Sequence, residues 1–221
     1  MPSIIPAPWT LYGDGYMLFY KFSREWVAQH GFVPPELAGR FDGFFGAVML
    51  VNYHVSPVGA YRELLFMPGK FRTPQGRRYS ITRIFVDSED STVSGRANWG
   101  IPKFTRPFQV EKDGNTERIS VLDEHGTPGF GITLRSGGLR FPVTTALIPI
   151  HLYQFWEHQI FLTSPKGSGT GQFARVLDTR ANPAFFPDIS LAKPLLAVKV
   201  SGFRMEFPVA ELCNDESAHQ L

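Results

Sequence analysis

The chain has 221 residues, and its 22 Lys and Arg against 20 Asp and Glu leave a formal net charge of only +2. This length predicts one domain over residues 1–221. A net charge this close to zero does not indicate the basic surface that nucleic-acid binding needs. No apolar run reaches the roughly 18 residues of a membrane helix. A single cysteine, Cys213, excludes an internal disulfide and a cysteine-based zinc site. With prolines interrupting any signal-like start, we expect a cytoplasmic protein without nucleic-acid or membrane partners.

The composition favours short strands and many turns, because 20 Phe accompany 18 Pro and 21 Gly. A short helix is predicted after Ser23, which has the side chain of a helix cap, and it should stop near Gly31. Apolar and aromatic runs predict strands in chain order at residues 16–20, 43–55, 61–67, 79–86, 108–111, 130–134, 173–179 and 195–207.

The clearest turn lies at Asp113, where an Asp-Gly pair separates the two alternating arms of a hairpin over residues 108–121. Residues 144–162 remain ambiguous between strand and helix, and residues 166–171 (KGSGTG) read as a flexible turn. No repeat and no break in composition divides the chain. The predicted fold is therefore mainly β, a single-domain and mostly antiparallel closed barrel or sandwich with a few short helices.

Metal and cofactor motifs are missing from the sequence. The histidines are scattered along the chain and form no HxxxH or HExxH pair, at positions His30, His54, His125, His151, His158 and His219. The glycine-rich residues 166–171 lack the spacing of a phosphate-binding loop, and no serine sits in a hydrolase elbow. We therefore predict neither a metal nor a cofactor.

Lys103 is the most informative single residue. It follows Trp99, Gly100, Ile101 and Pro102 and precedes Phe104, so its amine is expected to be partly buried. Burial disfavours the ammonium relative to the free amine, and a free amine is the form that adds to carbonyl compounds. A lysine that merely lies along an apolar surface is the ordinary alternative.

Three stretches together resemble the acetoacetate decarboxylase-like family: residues 59–64 (GAYREL), 86–89 (VDSE) and 94–103 (SGRANWGIPK). The last stretch carries the most specific part of the resemblance, which covers roughly residues 8–112. The resemblance implies a β-rich, double-cone-like fold with a lysine inside it and an assembly of more than one copy. It also implies that Lys103 forms a Schiff base with a β-keto acid and that Glu63 positions substrate or manages protons. The implied partner is thus a small keto acid.

Two departures from the family pattern bear on the chemistry. A second lysine follows the Schiff-base lysine in the true decarboxylases, whereas Phe104 stands here, and the family's Gly-Arg-Glu reads Gly-Arg-Ala at residues 95–97. Activation of Lys103 would then come from apolar burial or from a cation such as Arg62, Arg96 or Arg106. We predict Lys103 and Glu63 as catalytic residues. Substrate-binding roles are predicted for Arg62, Arg96, Trp99 and Phe104, with Arg96 as a fork for a carboxylate.

Three functions follow from this pattern. The first is a Schiff-base lyase, acting by decarboxylation or by aldolase or dehydratase chemistry through the same imine. The second is a non-catalytic binding module for a small hydrophobic acid or carbonyl compound on the same scaffold, which Phe104 and Ala97 favour. The third is reversible capture of a carbonyl compound. The enzyme is the preferred prediction.

Overall fold

A computed structural model of the chain describes residues 2–147, 149–190 and 192–214. Two α-helices lie in this part of the chain: α1 (Arg24–His30) and α2 (Glu89–Trp99). One turn of 3-10 helix covers Pro35–Leu37. The strands that the description covers are, in chain order, β1 (Trp9–Tyr20), β2 (Gly46–Val55), β3 (Tyr61–Met67), β4 (Lys70–Thr73), β5 (Gly76–Tyr79), β6 (Arg83–Val86), β7 (Lys103–Thr105), β8 (Phe108–Asp113), β9 (Thr116–Leu122), β10 (Pro128–Thr144), β11 (Leu152–Trp156), β12 (Gln159–Thr163), β13 (Lys166–Ala181), β14 (Leu196–Phe207) and β15 (Glu211–Asn214).

Ten strands form one curled sheet in the order β7-β6-β3-β2-β1-β14-β13-β10-β9-β8, and a second sheet has the order β15-β12-β11-β5-β4. The strand pairs are antiparallel except for β6 with β7 and β5 with β11. The prediction of a mainly β, barrel-like sheet with few helices is confirmed.

The two faces of the large sheet bury different sets of side chains. Along β2, for example, Met49 and Val51 belong to one apolar cluster and Val48 and Leu50 to another. This follows from the period of a strand, in which successive side chains point to opposite faces. We call the cluster of Val48 and Leu50 the first core and that of Met49 and Val51 the second core. This division decides which residues meet at the candidate site.

Several local predictions are confirmed. The Ser23 hydroxyl accepts a hydrogen bond from the Trp26 amide at 3.1 Å and caps α1, which ends at Gly31. Strands β8 and β9 form the hairpin around Asp113, and Gly114 has the φ of +57° that this turn requires. The ambiguous residues 144–162 contain β11 and most of β12.

Two predictions were wrong. Residues 166–171 are not a flexible turn but the start of β13, where they pair with β10 and β14 on either side. Gly169 and Gly171 suit this crowded position because a Cβ at Gly169 would lie 2.8 Å from Val200. The predicted strand over residues 79–86 is interrupted, because β5 ends at Tyr79 and β6 begins at Arg83.

Helix α2 was not predicted, and it connects the parallel strands β6 and β7. The Ser88 hydroxyl caps its first turn by accepting from the Ser91 amide, and Gly100 ends it in the left-handed conformation with φ of +62°. The buried face of α2 is made largely of small residues, including Ser91, Ser94 and Gly95. A helix with so little apolar periodicity leaves no clear pattern in the sequence.

Candidate active site

Lys103 is the first residue of β7, directly after the turn that ends α2. Its side chain is 5% exposed, and its Nζ donates to Glu63 Oε2 at 3.0 Å and to Ser91 Oγ at 3.0 Å. The two residues that the sequence predicted as catalytic are therefore in direct contact. Forty residues separate them in the chain, and β3, β6 and β7 bring them together.

Glu63 lies in the middle of β3, opposite Val51 on β2 and Val86 on β6. Its second carboxylate oxygen, Oε1, accepts a hydrogen bond from the Tyr53 hydroxyl at 3.3 Å. A buried carboxylate is costly unless it is paired and hydrogen-bonded, and Glu63 has a partner on each oxygen. The Lys103–Glu63 pair is thus a buried ionic unit within the second core.

Two tyrosines complete the surroundings of this pair. The Lys103 ammonium lies 5.2 Å from the centre of the Tyr61 ring, and the rings of Tyr53 and Tyr61 are 4.6 Å apart. Burial raises the pKa of Tyr53 well above its ordinary value, and the Glu63 carboxylate raises it further. The same two causes raise the pKa of Tyr61. Both phenols therefore remain protonated at neutral pH, and the Tyr53 hydroxyl donates to Glu63.

Helix α2 shapes the other side of the lysine. Ser91 and Gly95 are four residues apart and therefore lie on one face of the helix, toward Lys103. A Cβ at Gly95 would lie 2.7 Å from Lys103 Cδ and 2.9 Å from Cε, closer than side chains can pack. Gly95 thus leaves the space that the lysine stem occupies. This explains why a residue without a side chain stands at position 95.

Arg96, predicted as a carboxylate fork, contacts the main chain instead. Its guanidinium donates to the carbonyl oxygen of Lys103 and lies over the rings of Phe104 and Trp156, 5.5 and 5.0 Å from their centres. The structure therefore places Arg96 as an anchor for the backbone of β7. It positions Lys103 rather than approaching its amine.

Phe104 lies on the opposite face of β7 from Lys103. In the parallel pairing of β6 with β7, Lys103 is beside Ile84 of the second core, and Phe104 is beside Phe85 of the first core. The ring of Phe104 packs against the first core, 6.2 Å from the ring of Phe85. The structure does not bring Phe104 to the amine, so this placement gives no support to its predicted role in substrate binding.

Arg62 and Trp99 are also occupied elsewhere. Arg62 Nη1 lies 3.0 Å from the carboxylate of Asp87, which also accepts from the Arg62 amide. Trp99 is buried against Trp9 and Phe207, at ring distances of 5.1 and 5.2 Å, and its indole donates to a main-chain carbonyl. These are the contacts of an ion pair between strands and of a core residue. Neither contact set supports the predicted role in substrate binding.

An apolar cavity of about 370 Å³ lies on the same face of the sheet as the Lys103–Glu63 pair. Its walls include Val51 and Tyr53, which are the neighbours of Glu63 on β2. We call it the apolar cavity. Tyr53 therefore links the lining of this cavity to the carboxylate that pairs with Lys103.

Sequence reasoning missed Tyr53 and Ser91 and gave Tyr61 no role. Tyr61 precedes Glu63 by two residues on one strand, a spacing that puts both on the same face. That signal was present in the sequence. Tyr53 and Ser91 reach the site through strand pairing and through the unpredicted helix α2, which a single sequence does not reveal.

No group of three or more His, Cys, Asp and Glu side chains in the described ranges is arranged to hold a metal ion. His219 lies outside those ranges. Among residues 2–147, 149–190 and 192–214, no helix is both long and apolar enough to cross a membrane.

Several solved structures share this arrangement of strands. An acetoacetate decarboxylase from Legionella pneumophila subsp. pneumophila str. Philadelphia 1 aligns with a TM-score of 0.70 and 13% identity over 96% of this chain and 92% of its own. The enduracididine biosynthesis enzyme MppR, complexed with the condensation product of pyruvate and imidazole 4-carboxaldehyde, aligns at 0.63 and 15% identity over 97% and 92%. An acetoacetate decarboxylase-like enzyme from Sphingomonas wittichii RW1 aligns at 0.62 and 12% identity over 96% and 94%.

No family model and no curated protein matches the sequence. The fold is that of acetoacetate decarboxylase and of the enzymes that share its architecture, which confirms at the level of the fold the resemblance found in residues 59–103. The match extends over nearly the whole chain, including the part after the hairpin where the sequence resemblance fades.

Proposed function

We propose that this protein is a Schiff-base-forming lyase in which Lys103 is the nucleophile toward a β-keto acid or a related carbonyl acid. One observation carries the proposal. The Lys103 amine is buried and held by Glu63 and Ser91 at 3.0 Å each, and Tyr53, which donates to Glu63, lines an apolar cavity on the same face of the sheet. A buried amine beside a proton acceptor is what carbonyl addition requires.

Glu63 is the group that frees the amine. Its carboxylate accepts the hydrogen bond that Lys103 donates, with Nζ and Oε2 3.0 Å apart. Transfer of one proton along this bond converts the ion pair into a neutral amine and a carboxylic acid. Glu63 then holds the proton that the next steps consume.

The reaction proceeds from that amine. Lys103 Nζ attacks the carbonyl carbon, and loss of one water gives a protonated imine. In a β-keto acid the bond to the carboxylate breaks, carbon dioxide leaves, and the electron pair enters the imine to form an enamine. A proton then adds to the enamine carbon, and water hydrolyses the imine to release the ketone and the free lysine. An aldol condensation uses the same enamine, with an aldehyde in place of the proton.

The proteins that share the fold support this chemistry by analogy. One is named for the decarboxylation of acetoacetate, and another binds a condensation product of pyruvate. Identities of 12–15% carry no residue roles across, so the roles of Lys103, Glu63 and Ser91 rest on their contacts.

A second candidate is a binding module that holds a small hydrophobic acid or ketone without turnover. The apolar cavity favours it, because a cavity of about 370 Å³ lies in the range of small-molecule pockets. In that case the Lys103–Glu63 pair is a structural element only.

Borohydride trapping separates the two candidates. The protein is incubated with acetoacetate, pyruvate and larger keto acids, reduced, and digested for peptide masses. The proposal expects a stable adduct on the peptide that carries Lys103. Lys103→Met removes the nucleophile and should lose the adduct, whereas Lys112→Met, at a lysine whose side chain is 64% exposed, should keep it. Binding of a keto acid without any adduct supports the binding module, and carbon dioxide release distinguishes decarboxylation from condensation.

A further inference from the structure

We infer that the apolar cavity holds the hydrocarbon part of the substrate of Lys103, so that this substrate is a keto acid of about six to ten carbons in total with an alkyl or aryl tail. The inference rests on the proposed function and adds the class of its substrate. Four observations carry it: the wall shared with the site, the chemistry of the lining, the volume, and the open rim.

Two residues connect the cavity to the candidate site. Tyr53 lines the cavity, and its hydroxyl donates to Glu63 Oε1 at 3.3 Å. Val51 lines the cavity and is the cross-strand neighbour of Glu63. Tyr53 is therefore the residue that connects the lining of the cavity to the Lys103–Glu63 pair.

The lining suits a flexible hydrocarbon. Four of the five methionines of the chain line this one cavity: Met17, Met49, Met67 and Met205. Methionine side chains adapt to irregular apolar shapes, and clusters of them are used to bind apolar ligands of variable form. A short substrate such as acetoacetate needs no surface of this kind.

The volume sets the length of the chain. Liquid water occupies about 30 Å³ per molecule. At a similar volume for each non-hydrogen atom, a cavity of about 370 Å³ holds roughly twelve such atoms. A keto acid of six to ten carbons fits when its acid end lies at Lys103.

The rim of the cavity is open and apolar. Phe44, Phe45, Leu195 and Leu196 line it and are 42%, 48%, 61% and 41% exposed. Large exposed apolar groups that form one patch mark binding surfaces rather than inert surface. Here the patch continues into the cavity, so it gives a hydrocarbon chain a path from solvent toward Tyr53.

The test compares chain lengths in the trapping reaction. Two stable homologous series are used: 2-oxo acids of three, six, eight and ten carbons and methyl ketones of the same lengths. For each compound, the concentration that gives half-maximal borohydride trapping at Lys103 is measured by peptide mass. We expect this concentration to fall by about fourfold per added methylene until the cavity is filled.

A variant that fills the cavity supplies the control. Met17 is half-buried on β1 and lines the cavity, so Met17→Trp should abolish the fall in this concentration with chain length. Leu177→Trp adds a comparable side chain at a residue of β13 that is 43% exposed, and it should leave both the chain-length dependence and the trapping of three-carbon compounds as in the wild type. Thermal unfolding confirms that both variants are folded.

The outcomes separate the inference from the proposed function. If adducts form at Lys103 but the concentration for half-maximal trapping does not depend on chain length, the inference is overturned and the proposed lyase function is unaffected. Adducts with no compound in either series overturn both. Long-chain compounds that bind without trapping at Lys103, or a rim that proves to be covered by a second copy of the chain, also overturn the assignment of the cavity to the substrate.

Discussion

Gly95→Ala tests whether the packing of the lysine stem, and not only the presence of an amine, makes the site reactive. The added methyl group would lie 2.7 Å from Lys103 Cδ and 2.9 Å from Cε, where ordinary contacts begin at about 3.4 Å. The stem must therefore move by about 0.7 Å. Because Nζ is 3.0 Å from both Glu63 and Ser91, a shift of that size away from either partner takes that contact beyond hydrogen-bond range.

The expected effect on function is much larger than that on stability. A misplacement of about 1 Å can cost on the order of 100-fold in rate, so we expect the rate of borohydride trapping to fall by about 10- to 100-fold. Alanine favours a helix interior by about 1 kcal/mol over glycine, and overpacking costs about 1–3 kcal/mol. The free energy of unfolding should thus fall by no more than about 2 kcal/mol, which shifts the melting temperature by less than about 8 °C.

The assay is the trapping rate at Lys103 with a saturating keto acid, beside a thermal unfolding curve for each protein. Gly131→Ala is the matched control, because its new Cβ would meet only the Ser120 hydroxyl at 3.6 Å. Wild-type trapping by a folded Gly95→Ala protein would refute the reasoning. Equal losses of trapping in both variants would show that the glycine substitutions act through the fold as a whole.

Three further predictions concern the neighbours of the lysine. Phe104→Lys should leave trapping at Lys103 within about threefold of the wild-type rate, because the new amine points to the opposite face; a tenfold gain would contradict the placement of that side chain. Tyr53→Phe should lower the free energy of unfolding in urea by about 1–3 kcal/mol through loss of a hydrogen bond to a buried carboxylate, and an unchanged midpoint would argue against that bond. Lys103→Met should cost about 3–5 kcal/mol because it leaves Glu63 unpaired, and the double variant with Glu63→Gln should recover much of this loss; additive losses would show that the two groups are not coupled.

The sequence by itself determined the class of fold and selected Lys103 and Glu63 as candidate catalytic residues. Alternation and turn residues located most strands and the hairpin at Asp113, because these signals are local. Lys103 was recognisable from its apolar neighbours, and the motif that contains it resembled one family. The resemblance implied that Lys103 and Glu63 belong to one site, and the structure places Lys103 Nζ 3.0 Å from Glu63 Oε2.

Only the tertiary structure decided which face each side chain occupies. The sequence of a short β-strand does not show which face will meet which core. Phe104 was therefore predicted to bind substrate beside Lys103, although its side chain lies on the other face of the sheet. Helix α2 was hidden because its buried face is made of small residues, and Ser91 and Gly95 were hidden with it. Arg96 and Arg62 read as free cations in the sequence, but long-range contacts with the Lys103 carbonyl and with Asp87 occupy them. Non-local pairing is set by the packing of the whole sheet, which is the reason that local patterns do not reveal it.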